Sequence, residues 1–377
     1  MRMMAFGTLL TGLVAISDAM AQRLEITHPG PHEASIVMQF DRSNAPAELE
    51  LWRKETVLGY SQDAEDDYGR IHLVCNSDTD SEAGKCPTED TLDTGTLLSR
   101  IPLRFSETRS GMKFDLEVTG NLDRALPDRT CDADFWMRRP KSLWSSHYDV
   151  CGNQHPSGTG VHLFISGDQL SRLVAGRWEA LLILHLRVGS TGASYAQVFR
   201  FDLTITDRDR TMIYLPEFGM AEPLVGLQLD YRPIPSPGTI GGTAVLDMCL
   251  YDGMGSQSEY LAITARDMGP SAPGRPASQY SVWHRDGGRE AQDRLDYQLT
   301  LDHSGQKIAL RNNEEVLLRG IDTAELRLVM LPDMNQWVYC VPTPLTLETP
   351  RVPASEKREG YYDGRLKLEM RLPTDRL

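Results

Sequence analysis

The sequence lacks the short motifs that mark most catalytic and nucleotide-binding sites. No His-Glu-x-x-His, Gly-x-Ser-x-Gly or P-loop pattern occurs, and the nine histidines are scattered along the chain. The turn at residues 157–160 precedes a predicted strand, so no helix N-terminus is present there to hold a phosphate. We therefore predict that the chain is not an enzyme. An exported carbohydrate-active enzyme remains an alternative, because the two carboxylates of a glycosidase need not be close in sequence.

Ligand sets for metal ions are missing as well. The six cysteines form no Cys-x-x-Cys pair and the histidines do not cluster, which argues against zinc. Asp78, Asp80 and Glu82 lie close together, but the glycine and the later glutamate of an EF-hand loop are absent, so a solvated loop is the better interpretation. No metal and no other cofactor is expected.

Basic regions and long apolar runs are also scarce. The formal net charge is −14, spread over both halves of the chain, which disfavours a nucleic-acid partner. After residue 21 no apolar run approaches the ~18 residues needed to span a bilayer. Before it, Arg2, an apolar stretch at residues 6–16 and the small-x-small sequence Ala19-Met20-Ala21 predict a secretory signal peptide rather than an anchor helix. We expect an exported, non-membrane-spanning protein that begins at Gln22.

An exported chain with an even number of cysteines is expected to form disulfides. The spacing favours nearest-neighbour bridges, although six cysteines allow many other pairings. The favoured pairs are Cys75–Cys86, Cys131–Cys151 and Cys249–Cys340.

The hydrophobic pattern divides the chain near its midpoint. Residues 199–206 alternate apolar and polar side chains, as a half-buried strand does, and Met212 begins a second strand that Pro216 ends. The polar residues 207–211 between them contain no glycine or asparagine, which a short hairpin turn would favour. A boundary is therefore preferred over a hairpin. We predict a signal peptide at residues 1–21, domains at residues 22–206 and 212–377, and a short linker at residues 207–211.

Short alternating runs recur on both sides of this linker, and helical periodicity is almost absent. The pattern predicts an all-β protein made of two antiparallel β-sandwiches. The loop between Cys131 and Cys151 mixes aromatic and basic side chains, which suits a binding surface. Alternatively, the aromatic rings form a small core beneath the loop. The side chains concerned are Phe135, Trp136, Trp144, Arg138, Arg139 and Lys141.

The last predicted strand lies only a few residues from the C-terminus. Its apolar side chains alternate with charged ones, and no later segment could pair beyond it. If this strand borders an open core, another chain could complete the sheet. The apolar side chains are Leu366, Leu368, Met370 and Leu372.

Several segments resemble the two halves of CfaE/CblD-type class 5 fimbrial tip adhesins, which are minor pilins of the alternate chaperone–usher pathway. In the first half the similar segments are residues 70–75, Cys86-Pro87 and residues 103–110. In the second half they are residues 213–218, 245–253 and 338–340 and the strand after Tyr361. Residues 247–253 and the opening strand with its Leu-Pro are the most specific of these. The resemblance covers nearly the whole chain after residue 21.

The resemblance implies two immunoglobulin-like sandwiches in tandem, a receptor-binding domain followed by a pilin domain that lacks one strand. A periplasmic chaperone, and later the N-terminal extension of a major pilin subunit, would supply that strand next to the terminal strand, and an outer-membrane usher would export the assembly. The protein would cap a fimbria on the bacterial surface and bind a host-cell receptor, expected to be a glycan. The main alternative is a subunit that initiates or caps the fimbria without binding a receptor.

The family's receptor site contains arginines. One lies five residues before the first cysteine of the domain and corresponds to Arg70, while an adjacent pair aligns with Val188 and Gly189, one position after Arg187. Because alternate side chains of a strand point to opposite faces, this offset predicts that Arg187 points away from the family's site. The receptor-binding candidates are Arg70 first, then Arg187, Arg138 and Arg139.

Arg70 could hold a carboxylate or sulfate of an acidic glycan through a two-pronged hydrogen bond. The alternative role for Arg70 is a surface ion pair with Asp66 or Asp67, which lie four and three residues before it.

Overall fold

The structure is a computed structural model that describes residues 25–95, 98–127, 135–149, 154–189, 192–218, 220, 222–234 and 236–373. Nearly all regular structure in these residues is β-strand, as the period-two patterns predict. Strands up to Thr206 form one large sheet, and strands from Met212 onwards form three further sheets. The chain is therefore a tandem of two β-sandwich domains.

The described residues of the first domain form nine strands and one short helix, α1 (Gly167–Leu170). The strands are β1 (His32–Asp41), β2 (Glu48–Tyr60), β3 (His72–Cys75), β4 (Ser99–Glu107), β5 (Lys113–Leu126), β6 (Phe135–Trp136), β7 (Gly158–Ser166), β8 (Gly176–Arg187) and β9 (Ser194–Thr206). Their order is β1-β9-β8-β4-β5-β7-β2, with β3 paired to β8 and β6 paired to β5.

This sheet folds over on itself to enclose one core. Trp52 of β2 packs against Phe199 of β9 with ring centroids 4.9 Å apart, although β2 and β9 lie near opposite ends of the strand order. Side chains that alternate along β4, such as Leu103 and Phe105, are fully buried between the two layers. The apolar side chains of these alternating strands therefore fill the core of a sandwich.

Fourteen strands are present in the part of the second domain that the structure describes. They are β10 (Met212–Tyr214), β11 (Leu229–Arg232), β12 (Thr239–Leu246), β13 (Cys249–Tyr251), β14 (Tyr260–Asp267), β15 (Tyr280–His284), β16 (Arg294–His303), β17 (Gln306–Leu310), β18 (Glu315–Arg319), β19 (Arg327–Met330), β20 (Trp337–Pro342), β21 (Leu345–Pro353), β22 (Tyr362–Asp363) and β23 (Leu366–Arg371). The sheet orders are β10-β13-β20-β19, β11-β12-β21-β16-β15-β22 with β17 on β16, and β18-β14-β23. Buried side chains of β14 and β16, including Ile263 and Leu301, form the centre of its core.

Short 3-10 turns join several strands in both domains. They span Arg42–Asn44, Ala64–Asp66, Tyr68–Arg70, Arg208–Arg210, Ala291–Asp293 and Ala354–Glu356. The turn at Tyr68–Arg70 corrects one boundary, because the sequence pattern predicts a strand from Arg70 whereas β3 begins at His72.

Two predicted strands also differ from those in the structure. The alternating residues 112–118 predict a strand that Gly120 and Asn121 close, but β5 continues to Leu126 because β7 and β6 both pair with its second half. A strand is predicted at residues 224–229, but only Leu229 belongs to one. The described residues 222–228 form no backbone hydrogen bond to a neighbouring strand, so the alternating pattern there has no sheet to join.

Each domain contains a disulfide bond within it. Cys75 is bonded to Cys86 in the first domain and Cys249 to Cys340 in the second, as the spacing predicts. The third predicted pair, Cys131 and Cys151, lies outside the described residues.

The two domains are joined by a buried ion pair beside the linker. Arg42 Nη1 donates to Asp207 Oδ2 over 2.9 Å, and Arg42 Nη2 donates to Gln336 Oε1 of the second domain over 2.6 Å. The sequence predicts a polar linker without an apolar side chain that could anchor it in a core. Asp207 is nevertheless only 4% exposed. A paired carboxylate anchors the linker in place of an apolar side chain.

Further polar contacts cross the same interface. Glu107 is buried and accepts a hydrogen bond from Gln257 Nε2 over 3.0 Å, while Arg109 donates to the main-chain oxygen of Ala324. The first core also extends into the second domain, where it includes Tyr251 and Leu331. The domains therefore share a continuous packed interface.

Candidate functional site

A pocket of about 400 Å³ opens where β3 begins and β8 ends. These two strands are antiparallel, and their register pairs His72 with Arg187. Beyond Arg187 the chain turns from β8 towards β9, which supplies the far wall. The pocket is lined by His72, Asp90, Arg187, Val188, Gly189, Gly192 and Ser194.

The pocket lies at the end of the first domain that is remote from the second. Gly176 at the start of β8 contacts the second domain, because a Cβ placed on Gly255 would lie 2.6 Å from the Gly176 Cα. Arg187 ends the same strand. At ~3.3 Å per strand residue, the pocket is roughly 35 Å from the domain interface.

Arg70 flanks this pocket from the 3-10 turn that precedes β3. Its side chain is 38% exposed, and its Nη1 lies 3.9 Å from Asp67 Oδ2. A Cβ placed on Gly189 would lie 3.3 Å from the Arg70 Cβ, so Arg70 stands beside the turn that lines the pocket. The ion pair predicted as the alternative role of Arg70 is present but long, which leaves the guanidinium accessible.

Arg187 lines this pocket, next to the Gly189 turn that Arg70 flanks, and its predicted orientation away from the family's site stays a prediction. Val188 is the residue that turns into the core, at 2% exposure, so Arg187 lies on the outer face of β8. Arg187 Nη1 donates to Glu89 Oε2 over 2.7 Å. Arg187 therefore lines the pocket and Arg70 flanks it, because the 3-10 turn places Arg70 beside Gly189.

Gly189 stands where the family's arginine pair aligns. A Cβ there would lie 2.0 Å from Asp67 Oδ2, so the Asp67 carboxylate occupies the space that a side chain would need. The absence of an arginine at Gly189 thus has a local physical reason. The Asp67 carboxylate lies against this turn, and only glycine leaves room for it.

Buried titratable groups set the charge at the pocket. His72 is 4% exposed, and burial followed by the nearby Arg124 and Arg187 guanidinium groups lowers its pKa, so its ring is neutral at neutral pH. Burial alone would raise the pKa of Asp90, but hydrogen bonds from Ser146 and from the Leu92 N–H outweigh it and lower that pKa. Asp90 is therefore ionised.

Arg124 is a residue that the sequence analysis missed. It is fully buried, and Nη1 and Nη2 donate to the Ile71 and Ser145 main-chain oxygens, both over 2.7 Å. Nη1 also donates to Thr159 Oγ1 over 2.6 Å. Burial lowers its pKa to about 9, which still leaves the guanidinium charged at neutral pH. In the sequence, Arg124 stands between Leu122 and Leu126, and both of these leucines are buried. An arginine among apolar strand residues was the available indication that its side chain is buried.

Arg138 and Arg139 lie elsewhere, just after β6, and both are exposed. Arg139 Nη1 is 3.7 Å from Asp149 Oδ2. No contact between these two arginines and the pocket lining occurs among the described residues. Among the aromatic rings of this loop, Phe135 packs against buried Tyr60, Trp136 lies over Gly160 and Trp144 packs against the first core.

The second candidate site is the outer edge of β23. Within the described chain β23 pairs with β14 alone, so its other edge carries no strand. The four side chains predicted to face a groove pack against the second core but stay only partly buried, whereas Leu261 and Ile263 of the neighbouring β14 are fully buried. These four are Leu366, Leu368, Met370 and Leu372.

Membrane helices and metal ligands add no further site in the described part of the chain. The helices found there are too short and too polar to cross a membrane. One set of side chains, Glu48, Glu50 and His162, brings ligand atoms within 4.8 Å of one another, but both carboxylates are exposed, as acidic groups commonly are without an ion.

The fold and these two sites define a tandem β-sandwich protein with a remote polar pocket on one domain and an unpaired sheet edge on the other. Models of the first and second domains of CfaE, a CFA/I fimbrial subunit, match residues 21–208 and 211–374, and the chain belongs to this family. Its relatives are fimbrial subunits rather than enzymes, in agreement with the lack of catalytic motifs.

One relative is the CFA/I fimbrial protein CfaE of Escherichia coli, which is 28% identical over 313 residues, or 80% of each chain. Among solved structures, CfaE, the adhesive subunit of CFA/I fimbria of enterotoxigenic E. coli, matches with a TM-score of 0.71 and 22% identity over 94% of this chain and 95% of CfaE. A chaperone–tip adhesin complex of CFA/I fimbriae biogenesis matches with a TM-score of 0.66 and 22% identity, over 94% of this chain and 99% of its own. These matches support the two-domain fold.

Proposed function

We propose that this chain is the adhesive tip subunit of a bacterial fimbria. It is exported through the periplasm and displayed on the cell surface, where its first domain binds a host-cell glycan. Its second domain accepts a strand from the next subunit. The related CfaE is described as an adhesive subunit, which supports the same role here.

The position of the pocket carries this proposal. A tip adhesin needs its binding site at the end that faces outward, away from the domain attached to the fimbria. The pocket flanked by Arg70 and Arg187 lies roughly 35 Å from the domain interface, by strand length. Its guanidinium and carboxylate groups supply the directional hydrogen-bonding partners that sugar recognition uses. A non-adhesive initiator would have no use for such a pocket.

The edge of β23 supports the assembly role. Its unpaired backbone groups can accept a strand from another chain, and its partly buried apolar side chains would be covered by that strand. We expect a periplasmic chaperone, then a major pilin subunit, to occupy this edge while an outer-membrane usher exports the growing fimbria. A chaperone is present with the tip adhesin in one of the matching structures.

Cell binding by the full exported chain tests the adhesive role. Arg70→Ala and Arg187→Ala should each weaken binding to epithelial cells at least tenfold, a loss of about 1.4 kcal/mol. Arg200→Ala serves as the control, because Arg200 also forms an exposed ion pair in this domain, with Glu33 at 3.0 Å. If both pocket variants bind like the parent while Arg138→Ala abolishes binding, the receptor site lies at the second cysteine loop instead.

A further inference from the structure

We propose that the pocket takes an uncharged sugar and discriminates against acidic glycans, with Glu89 as the residue that sets this preference. The inference rests on the proposed adhesive function and concerns the same pocket. It departs from the expectation that Arg70 holds a glycan carboxylate or sulfate.

Both arginines at the pocket already have an acidic partner. Arg187 Nη1 donates to Glu89 Oε2 over 2.7 Å, and Arg70 Nη1 lies 3.9 Å from Asp67 Oδ2. At Arg187, an incoming carboxylate or sulfate would have to displace the Glu89 carboxylate and so replace one anion with another. Such an exchange gains little, because the charge-assisted hydrogen bonds that form resemble those that break.

The pocket lining itself contributes a carboxylate, and no basic side chain of the described residues forms an ion pair with it. Asp90 lines the cavity, and its Oδ1 accepts hydrogen bonds from the Leu92 and Ser146 N–H groups. Arg187 and Asp90 line the pocket, while Arg70, Asp67 and Glu89 lie around it. The buried Arg124 guanidinium is nearby, and the His72 ring is neutral. The three guanidinium groups and the three carboxylates give these side chains no net charge. The pocket therefore has no net positive charge that would attract an anion.

The Asp67 carboxylate also lies directly against the turn at Gly189. It fills the space above Gly189 where any larger residue would place its Cβ.

Sugar hydroxyl groups fit this arrangement better than an anion does. A hydroxyl can accept from a guanidinium N–H and donate to the neighbouring carboxylate at the same time. Each arginine–carboxylate pair would then bind a hydroxyl without being separated. The same geometry makes Glu89 the most readily altered partner, because its side chain is 78% exposed and the ion pair adds little to folding stability.

The first test uses the full exported chain and epithelial cells before and after sialidase treatment, which removes terminal sialic acids. We expect binding to stay the same or increase after treatment, and to change less than about twofold when NaCl rises from about 0.1 to 0.5 M, since screening affects charged partners most. Loss of most binding after sialidase would overturn this inference and leave the adhesive function standing. Failure to bind either cell preparation would overturn the adhesive function itself.

The second test compares Glu89→Gln with the control Glu33→Gln, whose carboxylate pairs with Arg200 on the same domain. Glu89→Gln leaves Arg187 without its charged partner, so the ratio of binding on untreated cells to binding on sialidase-treated cells should rise at least threefold. Glu33→Gln should leave that ratio unchanged. An unchanged ratio in Glu89→Gln, with parent-like binding, would overturn the role of Glu89 in selecting the sugar.

Discussion

The ion pair between Arg42 and Asp207 predicts how strongly the two domains depend on each other. Their side chains are 18% and 5% exposed, and Arg42 Nη1 lies 2.9 Å from Asp207 Oδ2. Truncating one partner of a buried pair costs about 3–5 kcal/mol, because the other charge is left buried alone. Arg210 remains 3.9 Å from Asp207 in Arg42→Ala and offsets part of this loss, so we take the lower end, about 3 kcal/mol.

Thermal unfolding of the full exported chain measures this effect. At ~2–4 °C per kcal/mol for domains of this size, Arg42→Ala should lower the Tm by about 6–12 °C. Arg200→Ala removes an exposed pair and should change the free energy of unfolding by less than about 1 kcal/mol. Adding Asp207→Asn to Arg42→Ala should restore part of the loss, because the buried charge is then gone. A Tm for Arg42→Ala within 1–2 °C (roughly 0.5 kcal/mol) of the parent would refute the reasoning.

Three other predictions concern assembly, the disulfides and acid stability. Fusing the N-terminal peptide of the partner pilin after Leu377 should raise the Tm by more than about 10 °C, since three or four newly buried apolar side chains contribute ~1.5–3 kcal/mol each; an unchanged Tm would count against an open groove. Intact-mass measurement should show that the exported protein begins at Gln22 and that no cysteine reacts with a thiol label before reduction; a labelled cysteine would contradict three bridges. Burial alone would raise the pKa of Asp41, but hydrogen bonds from Thr206, Ser43 and Arg208 lower it to about 2. Asp41 therefore stabilises the fold above its ordinary pKa of about 4, and this contribution disappears as the pH falls to about 2, so Asp41→Asn should lower the Tm at pH 6 but not at pH 2; an equal loss at both would argue against it.

The fold was largely predictable because its main signal is local. Alternation along residues 99–107 or 199–206 reports directly on a strand with one buried face. Of the strand predicted at residues 224–229 only Leu229 forms one, because pairing depends on a neighbour, which a single segment does not encode. The extension of β5 to Leu126 also depends on β6 and β7 as partners.

The candidate site was only partly predictable for a similar reason. Arg70 follows from its distance to Cys75, but the position of Arg187 depends on which residue of β8 turns into the core at the strand end. The structure gives that role to Val188. Glu89 and Asp90 come from the segment after Cys86, and only the folded chain brings them to the end of β8. The positions of Glu89 and Asp90 at the pocket could therefore not be predicted from the sequence.

Bacteria that assemble this fimbria with the double variant Arg70→Ala/Arg187→Ala test the central claim most directly. Fimbriae should form in normal number and length, because the pocket lies remote from the β23 edge, while attachment to epithelial cells should fall at least tenfold. Arg200→Ala bacteria should attach normally. Normal attachment by the double variant would contradict a receptor site at this pocket, and attachment that persists when the chain is absent from intact fimbriae would contradict an adhesive role altogether.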